Sequence, residues 1–378
     1  MDLVLKGGRL IDPKNRVDAD CDVGFENGRV ARIGSNLAGR EERSVEGKIV
    51  CPGLIDLHTH VYWGGTSLGI DAEAYCRQCG VTTAVDTGSA GPGNFPGFRT
   101  HVIDQSSVRI LAYLHVSYAG IFGFAREVMV GESEDIRLMA PISAAKLADQ
   151  HRDVIVGIKI RLGRHASGDQ GMAPFEYALD VAEQTGLPIM AHIDEAPPSY
   201  GELVARLRSG DVLTHCFRPF PNSPLIGSGR IRPEVISARE RGVIFDIGHG
   251  MGSFSFETAR TMLANGFPPD VISSDVHQLC IHGPAYDQAV TLSKFLCLGM
   301  EIGDVIAAST SNPAEAVRRS DLGHLTPGAV GDATILSLEN GEFPYVDVVG
   351  EKVIGDRRLR SAGVVIGGKW WWPKAPFT

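Results

Sequence analysis

Between residues 53 and 325 the sequence alternates between short apolar runs and longer segments with helical periodicity. The apolar runs are rich in β-branched residues, which favour strands, and helical segments such as FEYALDVAEQTG end at a turn former, here Gly186. Eight strand–helix units in a segment of this length are typical of the (β/α)8 barrel, so the sequence predicts an α/β protein with a TIM barrel. The predicted strands cover residues 54–58, 81–87, 108–116, 154–160, 187–193, 211–217, 242–248 and 270–276.

Both ends of the chain lack this alternation of strands and helices. The first fifty residues read as short strands joined by tight turns, among them Asn27-Gly28, which is a strong hairpin signal. Similar runs return near the end as DATILSLE, PYVDVVG, EKVIGDRRLR and GVVIGGKW. We therefore expect residues 1–52 and 326–378 to form one small β-sandwich domain beside a barrel domain at 53–325. The KWWWP run (Lys369–Pro373) is expected to pack on that small domain, with a subunit contact as the alternative.

Composition narrows the class of partner. The formal net charge is −9, which argues against binding to nucleic acid or to an anionic membrane, and no apolar run approaches the length of a membrane span. Seven dispersed cysteines and an N-terminus without signal-peptide character favour a reduced, cytoplasmic protein. Cys76 and Cys79 form an isolated CxxC, which is weak support for a zinc or redox site. A small-molecule substrate is expected, and a homo-oligomer stays open.

Polar residues gather at the carboxyl ends of the predicted strands, where TIM barrels place their active sites. Taken singly, a histidine near a strand end is usually a hydrogen-bonded core residue, and a strand lysine often extends to solvent. So many ionisable residues at one barrel mouth are hard to explain in that way. They are His58 and His60 after the first strand, Lys159 in the fourth, His192 and His215 at the fifth and sixth, His249 after the seventh and Asp275 in the eighth.

Imidazoles and a carboxylate in one place indicate a divalent metal site, with zinc as the default and manganese or iron as alternatives. Two metals would need a bridging ligand, for which Lys159 is the candidate. A buried lysine has a lowered pKa, and its neutral amine can add carbon dioxide to form a carbamate, which acts as a carboxylate on a long stem. A water bound between two metals would lose its proton near neutrality and become the nucleophile.

This arrangement resembles the amidohydrolase superfamily, and KIVCPGLIDLHTH and SNPAEAV…LTPGAVGDATILSLE are similar to segments of that superfamily. GGTSLGIDAEAYCRQCGVTTAVDTGSAGPGNFPGF, THCF and FDIGHGMGSFSF resemble its deacetylase-like, or dihydroorotase-like, branch. The resemblance implies two divalent metals, with zinc as the default, and hydrolysis of an amide or ester, most simply deacetylation of a small carboxylate-bearing molecule. It implies metal ligation by His58, His60, Lys159 (carboxylated by CO2), His192, His215 and Asp275, catalytic proton transfer by Asp275, and substrate binding by His249, His277 and Arg161.

Other functions stay open at this point. A cyclic amidohydrolase of the dihydroorotase or hydantoinase type is one. Dihydroorotases are typified by an HxHxR pattern, and Tyr62 occupies the position of its arginine here, which argues against dihydroorotase activity itself. A mononuclear deaminase is another, because HIDE (residues 192–195) fits HxxE, but such a site does not need Lys159. GTSLG (65–69) formally matches the GxSxG of serine hydrolases without the strand–turn–helix context. A structural member of the superfamily without activity would be expected to have lost ligands, and this chain keeps them.

Overall fold

The computed structural model describes residues 1–227 and 229–371. Its strands divide between two large sheets, one built from both ends of the chain and one from the middle. The strands before the middle region are β1 (Leu3–Asp12), β2 (Val17–Glu26), β3 (Arg29–Gly34), β4 (Glu41–Ser44) and β5 (Ile49–Pro52). The middle contributes β6 (Leu54–Thr59), β7 (Val81–Thr87), β8 (Arg109–His115), β9 (Ile155–Leu162), β10 (Ile189–Ile193), β11 (Val212–Leu213), β12 (Leu225–Ile226), β13 (Arg230–Ile231) and β14 (Ile244–Phe245), and the chain ends in β15 (Ala333–Val346), β16 (Lys352–Ile366) and β17 (Lys369–Trp370).

Helices occupy the connections of the middle region and the stretch that follows it. They are α1 (Ala72–Cys79), α2 (Phe95–Phe98), α3 (Pro141–Gln150), α4 (Arg164–Ser167), α5 (Ala173–Thr185), α6 (Tyr200–Arg206), α7 (Pro233–Glu240), α8 (Phe256–Ala264), α9 (Gln288–Cys297), α10 (Ile302–Ala307) and α11 (Ser311–Ala316). Short 3-10 turns lie at Pro13–Asn15 and Ile136–Leu138, and a π-helical turn lies at Arg99–Ile103. Among the described residues, no helix is long and apolar enough to span a bilayer.

Local chemistry fixes where these helices begin and end. The Asp71 carboxylate accepts a hydrogen bond from the Ala74 N–H and caps α1, which ends at Gly80 with a left-handed φ of 86°. Ser199 and Glu202 form a reciprocal capping box at the start of α6. The predicted helix before Gly186 is confirmed as α5, and Gly186 takes the left-handed conformation at its end.

The middle strands form a parallel sheet of seven in the order β14-β11-β10-β9-β8-β7-β6, so seven of the eight predicted strands are confirmed. The eighth, 270–276, is not a regular strand. It makes single parallel bridges, from Val271 to Asp246 beyond β14 and from Val276 to Thr59 of β6, at the two edges of the sheet. Regular pairing fails there because the Ser274 N–H is donated to the Asp56 carboxylate and the Val276 N–H to the Ser274 hydroxyl.

The two ends of the chain do meet, as predicted, but the structure shows them in one mixed sheet of eight strands rather than as the two sheets of the predicted β-sandwich. Its order is β17-β16-β15-β5-β1-β2-β3, with β4 paired to β1. The antiparallel pairing of β15 with β5 joins the last part of the chain to the strand directly before β6. This sheet packs its own apolar cluster, which includes Leu5, Phe25 and Val365, whereas the larger core lies among the middle strands and their helices.

Two sequence features that could have been sites are structural. Cys76 and Cys79 are buried in α1, and the Cys79 thiol donates to the Tyr75 carbonyl within the helix. All seven cysteines are free thiols. In the C-terminal tail, Trp370 belongs to β17 and lies under the Arg43 guanidinium of β4, while Arg77 of α1 lies over Trp371. Residues 372 and 373 of the KWWWP run lie outside the described residues.

Candidate metal centre

Three ligand atoms converge at the carboxyl end of β6. The Nε2 atoms of His58 and His60 each lie 3.2 Å from Oδ1 of Asp275. The alternation of side chains along a strand puts both histidines on one face, and the segment after residue 271 brings Asp275 beside them from the other edge of the sheet. These three buried residues, the aspartate cluster, could hold a metal ion, since their ligand atoms all lie within 4.8 Å of one another.

Hydrogen bonds on the far side of each ring fix the orientation of these imidazoles. Nδ1 of His58 lies 2.7 Å from the Thr214 hydroxyl, which donates its single proton to Asp246 at 2.7 Å. Thr214 can therefore only accept from His58, so the Nε2 lone pair faces Asp275. Nδ1 of His60 lies 2.9 Å from the Ser89 hydroxyl. Such outer partners are what metal-binding histidines require to hold the ring and tautomer.

The ionisation of the aspartate cluster suits a cation. Burial lowers the pKa of His58 well below its ordinary value and that of His60 to about 3, so both rings are neutral ligands at neutral pH. Burial also raises the pKa of Asp275 to about 6. Two neutral imidazole lone pairs and a carboxylate that approach one point repel each other unless a cation or a proton lies between them.

A second group, the lysine cluster, consists of Lys159, His192 and His215. Lys159 is fully buried, its Nζ has no hydrogen-bond partner among the described residues, and burial lowers its pKa to about 7. Gly88 makes room for it, because a Cβ at this left-handed position (φ 87°) would lie 2.6 Å from Lys159 Cγ. An orphaned, readily neutralised amine beside imidazoles fits the carbamate that the sequence predicts.

The two histidines of the lysine cluster adjoin the aspartate cluster. The ring centroids of His192 and His215 are 4.5 Å apart, and those of His215 and His58 are 5.1 Å apart. Nδ1 of His215 lies 2.7 Å from the Gly248 carbonyl, which must accept, so Nε2 is left free. Nε2 of His192 has no hydrogen-bond partner and lies 3.5 Å from Asp194 Oδ2. The metal-capable convergence within the described residues nevertheless involves only His58, His60 and Asp275.

Backbone strain marks both clusters. His215 has φ 64° and Asp275 has φ 47°, in the left-handed region that non-glycine residues rarely adopt. Each such residue costs on the order of 1–3 kcal/mol, and strain of this kind concentrates at functional sites. The Asp56 carboxylate, which accepts from Tyr75 OH at 2.6 Å and from the Ser274 N–H at 3.0 Å, holds the turn that carries Asp275.

Both clusters open into one cavity of about 370 Å³, and the predicted substrate-binding residues differ in their relation to it. Arg161 and His277 line the cavity, and Arg161 pairs with the buried Glu132 at 3.1 Å and lies under the Phe124 ring. His249 is fully buried and is not among the lining residues. Its Nε2 is 2.6 Å from Lys294 Nζ and its Nδ1 is 3.0 Å from the Gly250 carbonyl.

Sequence reasoning missed several residues of the site. Thr214, directly after β11, and Ser89, shortly after β7, support the metal-capable histidines, and no local pattern relates them to His58 or His60. Arg218 lines the cavity and does have a signal, since HCFRP places it three residues after His215. Asp194 and Glu195 also lie on this wall, and apolar side chains complete it, namely Leu68, Ile121, Phe124, Met129 and Met251.

The GTSLG segment has no catalytic arrangement around its serine. Ser67 is exposed, its hydroxyl donates to the Phe122 carbonyl at 2.8 Å and accepts from the Phe124 N–H at 3.1 Å. It therefore joins the loop after β6 to the loop that carries Phe124. Tyr62 stacks on Phe98 and bonds the Asn94 carbonyl, and it is not among the residues that line the cavity.

Comparisons with known proteins agree with this geometry. No family model matches the chain. A protein from Brucella anthropi named as a deacetylase is 33% identical over 356 residues, which cover 93% of this chain and 88% of that protein. A crystal structure of a dihydroorotase superposes with a TM-score of 0.89 at 31% identity, over 98% of this chain and 99% of that one. A crystal structure of an adenine deaminase gives a TM-score of 0.90 at 29% identity, over 98% and 100%.

The names of these relatives differ, but the likeness to each of them extends over nearly the whole chain. With two histidines and an aspartate converging at the mouth of its parallel sheet, this chain belongs to the amidohydrolase superfamily and is a hydrolase of carbon–nitrogen bonds.

Proposed function

We propose that this enzyme removes an acyl group, most simply acetyl, from a small carboxylate-bearing amide or ester. The observation that carries the proposal is the pairing of the aspartate cluster with the orphaned Lys159 amine in a chain that is 33% identical to a deacetylase over 93% of its length. The substrate is a small molecule in this proposal, because both clusters line a cavity of about 370 Å³.

The donor set fits two divalent cations, with zinc as the default for imidazole and carboxylate ligands. In this proposal His58, His60 and Asp275 would hold one cation, His192 and His215 would hold the other, and Lys159, once carboxylated, would be a ligand to both. When bound, the cations polarise the scissile carbonyl and lower the pKa of the attacking water. The orphaned Nζ of Lys159 and Nε2 of His192 support this assignment, since buried polar atoms are rarely left without a partner.

Asp275 moves the proton in this proposal. Its carboxylate lies in the cavity wall and touches both imidazoles of the aspartate cluster, so it is placed to accept a proton from the attacking water. The same carboxyl would then donate that proton to the nitrogen or oxygen that leaves with the small acid. Arg161, held by Glu132, and His277 also line the cavity and would contact the rest of the substrate.

Two other functions have specific support. The 31% identity to a structure described as a dihydroorotase favours a cyclic amide substrate. Position 62, however, holds a tyrosine in place of the arginine of the HxHxR pattern, and the tyrosine ring stacks on Phe98. The 29% identity to a structure described as an adenine deaminase favours deamination, but Glu195, the glutamate of the HxxE pattern, is exposed. A buried lysine beside two further histidines also goes beyond what one metal needs.

A substrate panel tests the proposal. Metal content would be measured on the purified chain, and turnover on N-acetyl and O-acetyl derivatives of small acids, on dihydroorotate and hydantoins, and on adenine. We expect about two metals per chain and acetate release as the fastest reaction. Ring opening or ammonia release as the fastest reaction would replace the proposed function by one of the two alternatives. A chain inert on the entire panel would contradict all three.

A further inference from the structure

Arg218 is a second arginine of the cavity, with a role that the proposed chemistry does not yet use. It follows His215 by three residues, and its backbone N–H donates to the His215 carbonyl at 3.1 Å. Its Nη1 donates to the carbonyl of Ile193, the neighbour of His192, at 2.8 Å. The guanidinium is thereby fastened beside both histidines of the lysine cluster, and it lines the cavity while only 7% of the residue is exposed.

The charge of Arg218 is not neutralised by a carboxylate. No carboxylate oxygen of the described residues lies within 4.0 Å of its guanidinium, and its Nε is buried without a hydrogen-bond partner. Arg161, the other arginine of this wall, is different, because its Nη1 pairs with Glu132 at 3.1 Å. Asp194 and Glu195 influence Arg218 through space, but neither forms an ion pair with it.

A buried cation without a counter-ion costs free energy, and the desolvation of Arg218 lowers its pKa accordingly. Proteins keep such a group where a ligand supplies the missing anion. The planar guanidinium suits a carboxylate in particular, because two parallel N–H groups can bind both of its oxygens. Its anchors at Ile193 and His215 fix it in one place, so little entropy is lost when an anion binds.

We propose that Arg218 binds the carboxylate of the substrate, and that this enzyme acts on short acids whose carboxylate lies a few bonds from the scissile acyl group. The location beside His192 and His215 sets this distance, because the reacting carbonyl must lie over the two clusters. Arg161, already paired with Glu132, would contact a different part of the substrate. The inference rests on the proposed function for its kinetic consequence, but the binding of an anion by Arg218 can be measured separately.

The binding measurement uses N-acetylalanine and its primary amide, in both enantiomers, as probes. The chain is treated with a chelator before the calorimetric titration, so that the carboxylate of the probe cannot bind to a metal ion instead of Arg218. We expect the wild-type chain to prefer the acid, and Arg218→Gln to weaken binding of the acid by roughly 10- to 100-fold while binding of the amide is unchanged. Arg206→Gln, which removes an exposed arginine paired with Glu176, is the matched control and should change neither.

Three results would overturn the inference: equal affinity of the wild-type chain for acid and amide, an Arg218→Gln variant that binds the acid as well as wild type, or an equal loss for both probes. Circular dichroism and Tm would check folding. If Arg218→Gln does not fold, Arg218→Lys decides, since it keeps the charge without the paired N–H groups. Weaker binding of the acid alone supports the inference, and unchanged binding overturns it.

The kinetic measurement distinguishes this inference from the proposed function. On an acetylated acid that is turned over, Arg218→Gln should raise KM for the acid by a larger factor than KM for the matched amide. If no acetylated compound is turned over by the wild-type chain, the proposed function fails, and the calorimetric comparison still decides whether Arg218 binds a carboxylate.

Discussion

The aspartate cluster and the lysine cluster share one cavity but differ in how completely their polar atoms are satisfied. In the aspartate cluster each imidazole has an outer hydrogen-bond partner, and three ligand atoms already converge. In the lysine cluster Lys159 Nζ and His192 Nε2 have no hydrogen-bond partner among the described residues, and only two of the three side chains are imidazoles.

The two halves of the site therefore depend on bound ligands in different ways. The aspartate cluster is held by the protein, through Thr214, Ser89 and the strained turn at Asp275. The lysine cluster leaves buried polar groups that only a bound species would satisfy, which is costly in a site that never binds one. We expect the aspartate cluster to bind its metal more tightly and the lysine cluster to depend on carbon dioxide as well as on metal.

The largest effect is expected from Asp275→Asn, which breaks the aspartate cluster at its shared atom. An amide cannot accept the proton of the attacking water, so kcat should fall by about 10³- to 10⁴-fold. Much of the metal should remain, because His58 and His60 are unchanged. Turnover and metal content measured on the same sample test this, with Asp169→Asn, an exposed acid, as control. Near-normal turnover would remove Asp275 from the proton-transfer role.

Lys159→Ala tests the lysine cluster alone. Loss of the amine should lower the metal content toward one per chain and reduce kcat by roughly 10²- to 10³-fold, because the bridging ligand is gone while the aspartate cluster stays intact. Short acids such as propionate should restore part of the rate by filling the space with a carboxylate. A variant with two metals and the wild-type rate would contradict the bridging role and with it the comparison of the two clusters.

The sequence predicted what depends on position along a strand. The HxH at the end of β6, Lys159 on β9 and His192 on β10 follow from strand periodicity and from the rule that barrel sites lie at the carboxyl ends of strands. Asp275 was identified although its segment does not pair as a regular strand, because the apolar run around it has strand composition. Those two rules are local, and they need no knowledge of neighbouring strands.

The remaining residues could not be predicted because they depend on contacts across strands. Thr214 contacts His58, from which it is separated by 156 positions in the sequence. Asp56 supports the turn at Ser274, from which it is separated by 218 positions. Arg218 differs from other arginines only in that no acid lies beside it, which a sequence does not record. His249 was expected to contact substrate, yet its neighbour in space is Lys294, whose Nζ also donates to the carbonyls of Pro284 and Val346.

Thr214→Val would make the aspartate cluster resemble the lysine cluster, since it removes the outer partner of His58 without changing the size of the side chain. The ring would lose its fixed tautomer, and we expect metal affinity to fall by about 10- to 100-fold. Competition with a chromogenic chelator measures this. Thr261→Val is the control, because its hydroxyl bonds a helix carbonyl on the exposed face of α8. Unchanged metal affinity would mean that the outer hydrogen bonds do not explain the difference between the clusters.

The smallest effect is expected from Gly248→Ala, at the residue that touches both clusters. A Cβ there would lie 2.3 Å from the Thr214 hydroxyl, 2.8 Å from His215 Nδ1 and 3.0 Å from His58 Nδ1, with φ at 47°. Gly171→Ala is the matched control, because its φ of 56° is similar and nothing lies within 4 Å of the added Cβ. Both variants should lose about 1 kcal/mol of stability from the backbone conformation, seen as a lower Tm. Gly248→Ala should additionally weaken the binding of both metals, since the added methyl displaces one histidine of each cluster. If the two variants lose equal stability and retain equal metal affinity, the clusters are not coupled through Gly248.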